Sequence, residues 1–224
     1  MILPSRWYGP ISVLRTSLKS VFMAAANSTK LLVVLHGRGD SYEGFLWLAP
    51  ALDLNLNVLL VNAPDRYYMG YSWYDLPPNQ RPGVLRSSRE LECLFDEIGQ
   101  QGFRSQDTVL FGFSQGCLMA LEWGGRTQRS LSGYIGISGY CLDAEALLRE
   151  RSEASQASRW LITHGRQDEV LPFAKSEAQM RVLSDAGWPL DFRAFDKTHT
   201  IDQGSELALI RSWLISTLGL GSSV

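Results

Sequence analysis

Short apolar runs punctuate the chain from Leu31 onward: Leu31–Leu35, Val58–Val61, Val109–Phe113, Tyr134–Ile137, Trp160–Thr163 and Phe192–Phe195. They do not alternate apolar with polar, as a strand with one wet face would. Nearly every position is apolar, which predicts strands buried on both faces of a parallel sheet. Stretches with helical spacing lie between most of them: Val84–Gln101, Gln115–Arg126, Ala144–Arg151, Phe173–Ala186 and Ser205–Leu218. In the last of these, Leu207, Ile210, Leu214 and Leu218 share a face, with Trp213 beside them. The alternation predicts an α/β architecture, a mostly parallel central sheet with helices on both faces. Ahead of it, Ile11–Leu14 and Ser20–Met23 read as an edge hairpin within the N-terminal segment 1–29. No repeat or linker divides the chain, so residues 1–224 read as a single domain. Pro77–Gly83 reads as a loop within it.

In an open α/β sheet, ligands bind beyond the carboxyl ends of the strands, so the residues that end each apolar run matter most. Val109–Phe111 leads into Gly112–Phe113–Ser114–Gln115–Gly116 and out through Cys117–Leu121, an apolar helical stretch. Strand, tight turn and helix make G-x-S-x-G a nucleophile elbow, with Ser114 raised above the sheet. A serine hydroxyl needs a hydrogen-bonded base, and the chain offers only His36, His164 and His199. Partners of an elbow serine follow it in the order acid, then histidine. His199 follows the last strand on a polar turn and is the candidate base. His36 and His164 each precede a glycine at a strand end and read as structural histidines that shape their turns. Asp168, four residues after His164 in a turn closed by Val170–Leu171–Pro172, is the candidate acid, placed to fix the imidazole tautomer. Glu169 would point elsewhere, Asp196 lies too close to His199, and Asp143, Asp185 and Asp191 look like surface acids.

Negative charge developing on a carbonyl oxygen needs preorganised donors. The backbone N–H of Gln115, at the start of the helix after Ser114, is one candidate. The N–H of Arg38, in the Gly-rich turn His36–Gly37–Arg38–Gly39–Asp40, is the other. The aromatic stretch Tyr67–Tyr74 reads as the lining of an apolar pocket. Tyr71, Trp73 and Tyr74 are its substrate-binding candidates, joined by Tyr140 and Leu171 on neighbouring rim turns.

Composition removes several classes of function. A net charge of -2, with 20% charged residues, gives no electrostatic case for nucleic acid or for stable attachment to a membrane surface. No stretch approaches the roughly 18 apolar residues a membrane span needs, and Lys19–Ala26 is too short an apolar core for an export signal. Cys93, Cys117 and Cys141 lack metal or redox spacing and read as buried thiols of a cytoplasmic protein. The scattered histidines show no ligand pairing, so a zinc hydrolase is not expected.

Taken in sequence, His36–Asp40, Trp73–Tyr74–Asp75, Gly112–Gly116, Ser138–Gly139–Tyr140, His164–Asp168 with Val170 and Pro172, and His199 resemble the phospholipase/carboxylesterase family of α/β hydrolases. That family includes acyl-protein thioesterases and small carboxylesterases, and the resemblance runs from about Leu31 to Leu214. It implies an α/β-hydrolase fold, the triad Ser114, Asp168 and His199, and an oxyanion hole from the Arg38 and Gln115 amides. It also implies no metal or other cofactor, a small-molecule ester or thioester substrate, and a monomer or homodimer. Three residues depart from the family pattern: Arg38 stands where an apolar residue is more usual, Cys117 replaces a small residue, and Thr198 stands where glycine is common. The expected activity is that of a serine carboxylesterase on short to medium acyl chains. Acyl-protein thioesterase or lysophospholipase chemistry is the alternative, followed by a non-catalytic binding module on the same fold.

Overall fold

A computed structural model of the chain describes residues 14–221. The elements run β1 (Ser20–Met23), β2 (Leu31–Leu35), α1 (Leu48–Leu52) and β3 (Asn57–Val61), then a hairpin of β4 (Asp65–Tyr67) and β5 (Gly70–Ser72). They continue through α2 (Gln80–Gln100), β6 (Thr108–Phe113), α3 (Gln115–Gly124), β7 (Gly133–Ile137), α4 (Ala144–Glu150) and α5 (Glu153–Ala157). The chain closes with β8 (Arg159–Gly165), α6 (Phe173–Asp185), β9 (Leu190–Phe195) and α7 (Ser205–Leu218).

Among the described residues seven strands form one sheet in the order β1-β3-β2-β6-β7-β8-β9. Only β1 is antiparallel; every other pair is parallel. Successive side chains of a strand face opposite ways, so each central strand feeds two cores. Leu31, Val33 and Leu35 pack with α2, α3, α4 and α6, while Leu32 and Val34 pack with α1 and α7. That division explains why β2, β3 and β7 are apolar at nearly every position and buried along their whole length. The fold is that of an α/β hydrolase.

The sequence reading and the structure differ at the short elements. Ser20–Met23 is the expected edge strand, but Ile11–Val13 lie outside the described residues and Leu14 is not in a strand. Helix α2 starts at Gln80, so four of the seven residues read as a loop are helix. Pro82 stands in its first turn, where its missing N–H has no intrahelical acceptor to lose. Cys93 is exposed on α2; Cys117 and Cys141 are buried, and burial pushes the Cys141 thiol up to about 12. Among the described residues no helix is long and apolar enough to cross a membrane.

Candidate active site

The carboxyl ends of β2, β6, β7, β8 and β9 meet on one rim, and Ser114 stands at its centre. Its backbone takes φ 55° and ψ -112°, a conformation that costs a non-glycine residue about 1–3 kcal/mol. Neighbours hold it there: Ser114 N donates to Ile137 O at 2.9 Å, and Leu118 N donates to Ser114 O at 3.2 Å. The flanking glycines let strand and helix close around this turn. A Cβ on Gly112 would overlap the Gly116 carbonyl, and one on Gly116 would overlap the Leu35 carbonyl.

The three residues read as a triad come from three separate loops and meet here. Ser114 Oγ lies 2.9 Å from His199 Nε2, and His199 Nδ1 lies 2.8 Å from Asp168 Oδ2. A carboxylate only accepts, so Nδ1 carries the proton and Nε2 is left to accept from the serine hydroxyl. The other Asp168 oxygen accepts from Val170 N at 3.0 Å and Leu171 N at 2.8 Å. The turn after β8 thus aims the carboxylate with its own amides. The His199 ring packs against Phe113, with centroids 5.1 Å apart.

His36 and His164 are structural, as expected. Ala63 N donates to His36 Nε2 at 3.0 Å, so the neutral ring's proton sits on Nδ1, which donates to Gly37 O at 2.6 Å. Burial lowers the pKa of both histidines. His164 Nε2 donates to Leu171 O at 2.9 Å and lies 3.3 Å from Asp168 Oδ2. It therefore braces the acid's turn from beneath.

Sequence reasoning missed the device that holds the His199 loop. Lys197 Nζ donates to both Glu206 carboxylate oxygens, at 2.6 and 2.7 Å, and to Thr200 O at 2.7 Å. Asp202 N donates to the same carboxylate at 2.8 Å. The pair is buried, with side chains 4% and 0% exposed, and it ties both flanks of His199 to the first turn of α7. Gln167 N donates to Lys197 O at 3.1 Å, which joins this loop to the one that carries Asp168. No sequence pattern marks such a pair, because Lys197 and Glu206 meet only once the loop has closed.

On the other side of Ser114, Gln115 begins α3. Among the described residues, neither its backbone N–H nor that of Arg38 donates to a protein acceptor. Its side chain has a role that the motif did not suggest. Oε1 accepts from Trp73 N at 2.9 Å, and Nε2 donates to Tyr74 O at 2.8 Å. Trp73 Nε1 in turn donates to His36 O at 3.0 Å. The reading of Trp73 and Tyr74 as pocket lining is therefore corrected. They are 0% and 2% exposed, with no face free for a substrate, and they fasten the loop after β2 to α3. Tyr71, Tyr140 and Leu171 are half-buried on the rim. The Tyr140 hydroxyl accepts from Gln80 Nε2 at 2.6 Å.

Among the described residues, no group of three or more His, Cys, Asp and Glu side chains could hold a metal ion. What the arrangement can do chemically is move the proton of a serine hydroxyl to an imidazole oriented by a carboxylate. It does so beside two free backbone donors at a helix start and a glycine-rich turn.

Fold and rim together define a hydrolase of the α/β-hydrolase type. The chain belongs to the phospholipase/carboxylesterase family, whose model matches residues 17–217. Acyl-protein thioesterase 1 of Yarrowia lipolytica is 32% identical over 168 residues, covering 67% of this chain and 74% of that protein. Carboxylesterase SOBER1 of Arabidopsis thaliana is 24% identical over 212 residues, covering 84% and 91%. In three dimensions the chain is similar to esterase PE8, with a TM-score of 0.80 and 28% identity over 90% of this chain and 99% of that one.

Proposed function

We propose that the protein is a serine carboxylesterase that acts through an acyl-enzyme. The unbroken hydrogen-bond chain from Ser114 Oγ through His199 to Asp168 carries this reading. Ser114 Oγ attacks the acyl carbon as its proton passes to His199 Nε2, and the carbonyl oxygen becomes an oxyanion facing the Arg38 and Gln115 amides. The C–O bond to the leaving group breaks, and that group takes the proton from Nε2. Water then adds to the acyl-enzyme with His199 as base, releasing the carboxylic acid and restoring Ser114. Asp168 holds the tautomer and stabilises the imidazolium. Three free thiols, two of them buried, fit a reducing compartment and support a cytoplasmic setting.

The half-buried Tyr71, Tyr140 and Leu171 form the acyl-facing part of the rim in this reading. A thioester substrate is the second reading, favoured by relatives named acyl-protein thioesterase. Steady-state hydrolysis of para-nitrophenyl esters from acetate to palmitate, with Ser114→Ala alongside, tests the proposal. Activity should peak at a short to medium chain and vanish in the variant. Turnover that survives Ser114→Ala would reject the serine mechanism. Matched oxygen and thiol esters then decide between the two leaving groups.

A further inference from the structure

Among the described residues six guanidinium groups sit against a carboxylate: Arg86, Arg104, Arg126, Arg129, Arg166 and Arg193. Arg38 has no such partner among the described residues. Its guanidinium lies 4.1 Å above the Tyr67 ring, and its Nε is buried without a hydrogen-bond acceptor. The carboxylate two positions along makes no ion pair with it, and Asp40 Oδ1 accepts from Ser41 N at 2.8 Å.

The turn that carries Arg38 passes close to Ser114. A Cβ built on Gly37, the preceding residue, would stand 3.3 Å from Ser114 Cβ. The hairpin that holds Tyr67 is hydrogen-bonded to the same turn: Gly39 N donates to Tyr71 O at 2.8 Å, and Tyr71 N donates to Asp40 O at 2.9 Å. Arg66 lies over Tyr71, 4.7 Å from the ring, and adds a second cation on this hairpin. Stacking fixes the plane of a guanidinium while leaving its N–H edge able to form a fork on an oxyanion group.

We propose that Arg38 binds an anionic group of the substrate, a carboxylate or a phosphate, so that the preferred substrates are acidic esters or thioesters. The inference rests on the serine-esterase reading for turnover but not for binding. Two matched pairs distinguish the sources of charge. Para-nitrophenyl hydrogen glutarate against the pentanoate places a carboxylate on the acyl side. Butanoyl glycerol phosphate against butanoyl glycerol places a phosphate on the alcohol side.

The readout is the ratio of kcat/KM, charged over neutral, within each pair. In the native protein it should exceed unity by roughly tenfold for at least one pair, the scale of a charge-assisted hydrogen bond. It should fall by about that factor in Arg38→Met, fall less in Arg38→Lys, and shrink with added salt. Tyr67→Leu, which removes the stacking surface, should lower it in part. A ratio that Arg38→Met leaves unchanged in both pairs overturns the proposal. NMR titration of glutarate and glycerol phosphate into Ser114→Ala reads the site without turnover. Binding lost on adding Arg38→Met supports the assignment even if ester hydrolysis fails, and no binding, or binding indifferent to Arg38, removes it.

Discussion

On the His199 side of Ser114, charged groups are matched within the protein. Asp168 accepts from two amides and an imidazole, and Lys197 and Glu206 answer each other beneath the loop. On the Arg38 side the guanidinium rests on an aromatic face with a donor unanswered, and the hairpin beyond it ends in Tyr68 and Met69, 87% and 94% exposed. The difference separates two tasks. Proton transfer needs atoms held to a fraction of an ångström, so that side is cross-linked to the core. On the Arg38 side, a guanidinium with no carboxylate partner among the described residues fits the anion-binding role proposed for it.

The contrast can be broken most severely at Ser114, the proposed nucleophile. Ser114→Ala or His199→Ala should each lower kcat by on the order of 10³ or more, and the double variant should lose little beyond either one. Near-additive losses in ester hydrolysis would show that the two do not act as a unit. Next comes the buried pair. Lys197→Met or Glu206→Gln leaves one charge buried without its partner and should cost about 3–5 kcal/mol in urea unfolding. Replacing both residues by apolar ones should recover much of that loss. A single-variant cost below about 1 kcal/mol would mean the loop is held by other means.

A third expectation concerns pH. Burial lowers the pKa of His36 and His164 in the folded state, so below the ordinary histidine range the unfolded chain binds more protons than the folded one. Their contribution to stability is full at neutral pH and is lost as pH falls through about 6.5. The urea midpoint should therefore drop between pH 7.5 and 5.5, and less so in a His36→Gln, His164→Asn variant. Equal drops in both proteins would assign the acid sensitivity elsewhere. The smallest effect belongs to the exposed hairpin tip. Tyr68→Ser or Met69→Ser should change stability by no more than about 0.5 kcal/mol, and a larger change would show that the hairpin is part of the core.

The motif at Ser114 was legible because a nucleophile elbow needs small residues at Gly112 and Gly116 between an apolar strand and an apolar helix, and these are all local requirements. Trp73 and Tyr74 were misjudged for the converse reason. A run of aromatic residues in a loop looks the same whether it lines a pocket or plugs the core. Only the bonds from Gln115 to Trp73 N and Tyr74 O decide which it is. Helix α1 and the β4–β5 hairpin went unread because three to five residues cannot display a period.

By itself the sequence determined the layered α/β sheet, since strands buried on both faces must be apolar at nearly every position, and it marked the rim residues, since they interrupt those runs at the strand ends. Which residues meet across that rim was left to the tertiary structure. The Lys197–Glu206 clamp, the Gln115 brace on Trp73 and the Arg38 guanidinium over Tyr67 each join loops distant in the chain or closed on themselves. Nothing in the local order of residues encodes such distances.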